Sequence, residues 1–186
     1  MHPVRMLLYL SMLGIGILFF ILVVAFFRTG GFHLESFQMP KLFSVSTLLL
    51  LFSSFTLNRV PRFYRKDKLK KMARYLGFTL AFGVSFVIAQ FIGWNEISAS
   101  GVSFTGKASG TYLYLITALH IVHLLGGLIF LSYLFFKTLH VNADGVRSLI
   151  FIRDPYRILQ LTMLNSYWNF MGFLWLGLYL VFLFLV

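Results

Sequence analysis

Thr117-Ala118-Leu119-His120-Ile121-Val122-His123-Leu124-Leu125-Gly126-Gly127 is the centre of an apolar run that extends from Tyr112 to Phe136 without a formal charge. About twenty apolar residues suffice for a helix to cross the hydrocarbon of a bilayer. An ionisable side chain at that depth is costly, so it marks either function or specific pairing. The role of His120 and His123 therefore bears on both the fold and the function.

The rest of the chain is of the same kind. Of 186 residues, 59% are hydrophobic and 11% are charged, and phenylalanine alone occurs 23 times. A soluble domain of that composition would expose large apolar patches. With no cysteine, disulfides, thiolate metal sites and thioether-linked haem are excluded. The net charge of +11 invites a nucleic-acid reading. The basic residues cluster, however, in two short connections between apolar runs, which is a topology signal, and no nucleic-acid partner is expected.

Five spans are expected, at about 6–27, 42–57, 75–94, 112–136 and 160–186, in a single transmembrane domain. The runs lack the alternation of barrel strands, so the fold class is all-α, an integral membrane bundle of five transmembrane helices. The first run is too long for a signal-peptide core and no small-residue cleavage site follows it. The second is short, about 16 residues or ~24 Å, and Lys41 and Arg59 can snorkel at its ends. Asp154-Pro155 reads as an N-cap and first helical residue, starting the last helix below the bilayer.

Orientation follows from Lys and Arg. The stretch 58–74 holds eight basic residues (Arg59, Arg62, Arg65, Lys66, Lys68, Lys70, Lys71 and Arg74) against Asp67. The stretch 137–157 carries Lys137, Arg147, Arg153 and Arg157 against Asp144 and Asp154. The other two connections are nearly neutral, with Arg28, Glu35 and Lys41 in one and Glu96 and Lys107 in the other. The positive-inside rule places both basic stretches, and the N-terminus, in the cytoplasm and the C-terminus outside. Arg59, Arg62, Arg65, Lys70, Lys71 and Arg74 are then candidates for contact with anionic lipid headgroups.

No Asp, Glu, Lys or Arg falls in the middle of any span, which argues against an autonomous proton pump or ion-coupled transporter. His120 and His123, at i and i+3, share a helix face and could reach a common site. A metal needs three or four ligands, and a bis-histidine haem needs imidazoles on opposite faces of its ring. The other histidines, His2, His33 and His140, lie in the tail and connections. Ligand counting thus favours neutral imidazoles that hydrogen-bond neighbouring helices, with no metal site and no catalytic residue. Ser46, Ser53 and Ser54 read as small packing residues, Gly126-Gly127 either as a place where another helix can come close or as ordinary membrane glycine, and Trp94, Trp168 and Trp175 as interface or packing aromatics.

The order of these pieces resembles subunit III of the haem–copper terminal oxidases, in its short five-helix bacterial form. Thr117-Ala118-Leu119-His120-Ile121-Val122-His123 matches that family's T-G-x-H-x-x-H, with Ala118 for glycine. Tyr167-Trp168-Asn169-Phe170-Met171-Gly172-Phe173-Leu174-Trp175-Leu176 is similar to Y-W-H-F-V-D-x-x-W-L. The segment from Gly83 through Phe86 and Gln90 to Trp94 resembles G-x-x-F-x-x-x-Q-x-x-E-[WY]. Pro40, with Ser46-Thr47 and Ser53-Ser54-Phe55-Thr56, matches the preceding helix. The departures concern acids and one histidine. Gly16, Gly93, Gly172 and Thr162 stand where the family carries carboxylates, and Asn169 replaces a histidine.

The resemblance implies an accessory, non-redox subunit of a cytochrome c oxidase in a bacterial plasma membrane. No cofactor is expected in this chain; haem and copper are expected in the partner subunits I and II. The family packs on subunit I, holds phospholipid in a cleft, supports proton uptake during proton-translocating aerobic respiration and stabilises the enzyme. A larger respiratory supercomplex is a further possible setting. Gln90, Trp94, His120, His123, Tyr167, Trp168, Asn169 and Trp175 are the motif positions carried over, as structural residues with lipid or subunit contacts. Two alternatives stay open: the accessory subunit of a quinol oxidase or nitric oxide reductase, and a stand-alone membrane carrier or cofactor-binding protein.

Overall fold

A computed structural model describes residues 3–28, 41–99, 108–142, 151 and 154–185. Among them the regular structure is all helical: α1 (Pro3–Arg28), α2 (Lys41–Leu57), α3 (Val60–Arg65), α4 (Leu69–Ala99), α5 (Ala108–Asn142) and α6 (Pro155–Leu185). Five segments are long and apolar enough to cross a membrane, the second of them, Leu42–Arg65, combining α2 with α3, which makes this a multi-pass membrane protein. Pro40, His2, His33, Glu35, Lys107, Asp144, Arg147 and Arg153 lie outside the described residues.

The helices run on past the apolar segments. α6 starts at Pro155, where Asp154 caps it: the Tyr156 backbone N–H donates to Asp154 Oδ1 at 2.9 Å, as an N-cap followed by proline requires. Arg157 pairs with the same carboxylate at 3.2 Å. The basic stretch 58–74, expected as a connection, is largely helical, because α3 and the first turns of α4 fall inside it. The cause is aromatic anchoring. The Tyr64 ring is buried and its hydroxyl lies 2.9 Å from the carbonyl oxygens of both Phe151 and Asp154, so its single proton is shared between them. Phe63 packs on Tyr75 with ring centroids 4.8 Å apart.

α3 ends in a Schellman arrangement. The Lys68 N–H donates to Phe63 O at 3.0 Å and the Asp67 N–H to Tyr64 O at 3.1 Å. The motif needs a left-handed residue just past the helix, and Asp67 supplies it with φ 56°.

α4 shows how the bundle is packed. Leu69, Met72, Leu76, Thr79, Gly83, Phe86, Gln90, Gly93 and Ile97 are buried along it, one every three or four residues, which is one helix face. At Gly83 a Cβ would lie 2.8 Å from Leu128 of α5 and 3.0 Å from Trp168 of α6, so glycine is what lets three helices meet. The closed core consists of α2, α4, α5 and α6. α1 is more loosely attached, with Phe19 and Phe26 its only buried residues. Phe26 meets Phe182 edge-on at 5.8 Å.

Candidate functional site

The polar residues at the centre of the bundle follow one chemical rule. A buried serine or threonine hydroxyl carries one proton and two lone pairs. In α2, Ser46 and Thr47 donate theirs to the Phe43 carbonyl at 2.9 and 2.7 Å, and Ser53 donates to Leu50 O at 2.7 Å. In α5, Thr117 donates to Leu113 O at 2.9 Å. Each oxygen is then left as an acceptor, and each receives an N–H from another helix. Gln90 Nε2 reaches Ser46 at 2.9 Å, Trp175 Nε1 reaches Thr47 at 3.0 Å, Trp168 Nε1 reaches Ser53 at 2.9 Å, and Trp94 Nε1 reaches Thr117 at 3.0 Å. All three tryptophans of the chain are paired in this way. These bonds tie α2 to α4, α2 twice to α6, and α4 to α5.

His120 and His123 do otherwise than expected. His120 is 0% exposed, and neither ring nitrogen has a hydrogen-bond partner. Its ring is boxed by aromatics from three helices: Trp175 at 4.9 Å, Phe86 at 5.8 Å and Phe19 at 6.3 Å between centroids. His123 is half-buried, and its Nδ1 lies 2.7 Å from Leu119 O, one turn back on its own helix. That carbonyl can only accept, so Nδ1 carries the proton. His123 meets Phe19 edge-on at 5.8 Å. The histidines thus hold α1 and α6 through ring packing rather than through the expected side-chain hydrogen bonds between helices. Among the described residues no group of three His, Cys, Asp or Glu side chains is placed to hold a metal ion. His140, in the last turn of α5, is well removed in sequence from the pair.

Tyr167 and Asn169 complete the motif positions. Tyr167 donates its hydroxyl to His123 O at 2.8 Å, a second tie between α5 and α6. Asn169 and Asn58 form a reciprocal amide pair, at 2.7 and 3.2 Å, at the end of α2. Asn169 also donates to Asn165 O at 2.8 Å.

The glycines that stand in place of acids have different surroundings. A Cβ at Gly93 would meet Phe43 at 2.7 Å, one at Gly172 would meet Ser54 Oγ at 3.0 Å, and one at Gly16 would only graze Phe170 at 4.0 Å. Thr162 bonds its own helix, to Ile158 O at 2.7 Å. The glycine pair of α5 divides its roles. Gly127 packs on Tyr167 and Trp168, whereas Gly126 has open space beside it. That space belongs to an apolar groove of ≈ 460 Å³ between α1, α5 and α6, lined by Leu7, Leu8, Gly126, Phe130, Met163 and Tyr167 among others.

Arg59, Arg62, Arg65, Lys70, Lys71 and Arg74 are all exposed, at the end of the bundle where α2 gives way to α3 and α4. The Arg59 guanidinium lies 4.3 Å over the exposed Phe55 ring, a cation–π contact at the edge of the apolar zone.

Phe19 and Phe43 are not singled out by the sequence, and Thr47 and Thr117 stand there only as letters of the motifs, not as site positions. A signal for the hydroxyls existed: Ser46 and Ser53 are seven residues apart, two turns on one helix face.

No family model matches the chain. It is similar to the probable cytochrome c oxidase subunit 3 of Mycobacterium tuberculosis, 27% identical over 139 residues, which are 75% of this chain and 64% of the relative. It is also similar to the cytochrome bo(3) ubiquinol oxidase subunit 3 of Buchnera aphidicola, 28% identical over 139 residues, covering 75% of this chain and 66% of the relative. A third relative is the probable quinol oxidase subunit 3 of Staphylococcus aureus, 24% identical over 150 residues, or 81% and 69% of the two chains. The chain thus spans less than two thirds of the length of its mycobacterial relative. It carries the tryptophan, glutamine and histidine positions of the sequence motifs into one hydrogen-bonded and aromatic core, and by sequence it is a homologue of the third subunits of the cytochrome c and quinol oxidases.

Proposed function

We propose that this chain is the accessory third subunit of a haem–copper oxygen reductase, carries no redox centre of its own, and packs in the plasma membrane against the subunit that does the chemistry. Haem and copper belong, in this reading, to partner subunits I and II. The observation that carries it is the fate of the buried polar groups: the three indole N–H groups and one N–H of the Gln90 amide each fasten helix to helix. A carrier or cofactor site needs such groups turned toward a ligand, whereas an accessory bundle needs them turned toward one another. The names of the relatives point the same way.

Two secondary roles accompany it. The apolar groove beside α1 suits a phospholipid acyl chain, and the exposed Arg59, Arg62, Arg65, Lys70, Lys71 and Arg74 suit anionic headgroups. Support of proton uptake would not use membrane carboxylates of this chain, because glycine or threonine stands at each family position.

Affinity purification of the tagged chain from native membranes in mild detergent tests the proposal. Mass spectrometry is expected to find oxidase subunit I, and a reduced-minus-oxidised spectrum is expected to show its haems. A copper-containing subunit II in the same sample assigns cytochrome c as donor. Its absence, with quinol-dependent oxygen uptake, assigns a quinol oxidase; co-purifying nitric oxide reductase subunits would move the chain to that enzyme. Purification of the chain alone, with a haem, a metal or transport in vesicles, would overturn the accessory reading.

A further inference from the structure

We propose that one water molecule is bound in the centre of the bundle, bridging Gln90 Oε1 on α4 and the His120 imidazole on α5. The inference concerns this chain's own core and holds whichever oxidase it serves. It starts from three orphaned atoms. Gln90 is 1% exposed and His120 0% exposed; Gln90 Oε1, His120 Nδ1 and His120 Nε2 are buried without a hydrogen-bond partner. Every other hydrogen-bonding atom of their immediate neighbours Ser46, Thr47, Thr117 and Trp175 is engaged. Buried polar atoms are rarely left unpaired, and an internal water with two or more polar contacts is the usual remedy.

The two side chains belong to one site. A closed circuit of contacts surrounds them: Gln90 to Ser46, Thr47 to Trp175, and Trp175 to His120, whose ring in turn packs on Phe86, one turn from Gln90 on α4. Ser46 and Thr47 are adjacent in α2, so the circuit is short. The register of α4 against α5 agrees. Trp94 bonds Thr117. Moving back four residues on α4 reaches Gln90, about 6 Å along the axis, and moving on three residues on α5 reaches His120, about 4.5 Å in the same direction.

The chemistry is complementary. Gln90 Oε1 is a carbonyl oxygen and can only accept; the amide nitrogen beside it is turned to Ser46, to which it donates one N–H. A neutral imidazole offers one N–H donor and one acceptor nitrogen. A water between them donates to Gln90 Oε1 and uses its remaining proton or lone pair on the imidazole. No side chain in the circuit hydrogen-bonds Gln90 Oε1 or either His120 nitrogen directly. His120 is then a hydrated polar pin between α4 and α5, oriented by the aromatic box around it.

The test uses the full chain in deuterated lipid nanodiscs, labelled with ¹³C,¹⁵N-histidine, with His120 signals assigned from their loss in H120F. A cross peak between the carbon-bound His120 ring protons and the water resonance is expected, and it is expected to disappear in Q90L while the His120 signals remain. Oxygen-17 relaxation dispersion provides a second reading: the count of long-lived internal waters falls by one in H120F. The proposal is overturned if the wild-type ring protons show no water cross peak, if the peak survives in Q90L, or if the count does not change in H120F.

Discussion

The ring of Phe43 occupies the ground beside Gly93 where a larger side chain would project from α4. A Cβ at Gly93 would sit 2.7 Å from Phe43 Cε2, and Phe43 is itself buried and stacked on Trp175 at 6.2 Å with 18° between planes. In the related oxidase motif this position carries glutamate. In this chain the space beside position 93 is filled by an aromatic from α2 that closes the core.

Gly93→Ala is accordingly expected to destabilise the bundle by about 1–3 kcal/mol, the range for overpacking a dense core. Gly93→Glu is expected to cost more, because it adds a buried charge. Adding Phe43→Ala to Gly93→Glu should recover part of the loss, and thermal unfolding of the four proteins in mild detergent as a double-mutant cycle measures it. Additive effects would show that Phe43 does not fill the glutamate's place.

The hydroxyl–indole pairs make a second prediction. Trp168→Phe removes the donor to Ser53 and keeps most of the packing, so a loss of about 1 kcal/mol is expected. Ser53→Ala leaves the buried indole N–H without an acceptor and is expected to cost more, about 1–3 kcal/mol. The double variant should be better than the sum of the singles. Denaturant unfolding followed by tryptophan fluorescence reads all three, and equal losses in both singles would argue against a desolvated N–H.

The two histidines should separate. His120 is enclosed by Phe19, Phe86 and Trp175, so His120→Ala opens a void and is expected to lose about 2–5 kcal/mol. The His123 side chain hydrogen-bonds only its own helix and is half-buried, and the Tyr167 bond goes to its backbone, so His123→Leu is expected to change stability little. In the proposed oxidase complex, the double variant His120→Leu, His123→Leu is expected to shorten the working lifetime and lower the yield of complex while leaving the reduced haem spectrum in place. Loss of a defined metal or haem signal would make them ligands.

How much of this was legible beforehand depends on the kind of force. The five apolar runs and the capping of α6 by Asp154 could be read directly, since hydrophobic length and N-cap chemistry are local. The histidine pair stands out in the sequence because an imidazole at membrane depth is conspicuous. Its mode of contact was not legible: His120 lies against Phe19, Phe86 and Trp175, residues 101, 34 and 55 positions away by subtraction of their numbers, and apolar periodicity carries no partner information. The helical character of 60–65 was hidden for the same reason. Its charge density reads as a connection, and the contacts that anchor it as a helix, Tyr64 to Phe151 and Asp154 and Phe63 to Tyr75, are made with residues distant in sequence.

Asp67 gives a local test of that turn. It holds φ 56° in the Schellman arrangement that joins α3 to α4. Left-handed backbone costs an L-residue roughly 1–2 kcal/mol and glycine almost nothing. Asp67→Gly is expected to be neutral or to raise the thermal midpoint, and Asp67→Ala to lower it. The reverse order would show that the carboxylate, not the backbone, is what the turn uses.

Orientation yields the last prediction. The chain has no cysteine, so a single introduced thiol reports its own side of the membrane without background. Lys68 and Ser98 are exposed and flank α4 at its two ends, Lys68 just before Leu69 and Ser98 one residue before Ala99. Eight basic residues surround Lys68, itself included, whereas Glu96 is the described charge nearest Ser98. Charge asymmetry of that size retains the basic end in the cytoplasm. In intact cells or right-side-out vesicles, Lys68→Cys is expected to resist a membrane-impermeant maleimide until the membrane is opened, and Ser98→Cys to react from outside at once. The opposite pattern would invert the whole bundle, moving the six exposed basic residues and their proposed anionic lipids to the outer leaflet. Equal labelling of both positions from one side would mean that α4 does not span the membrane.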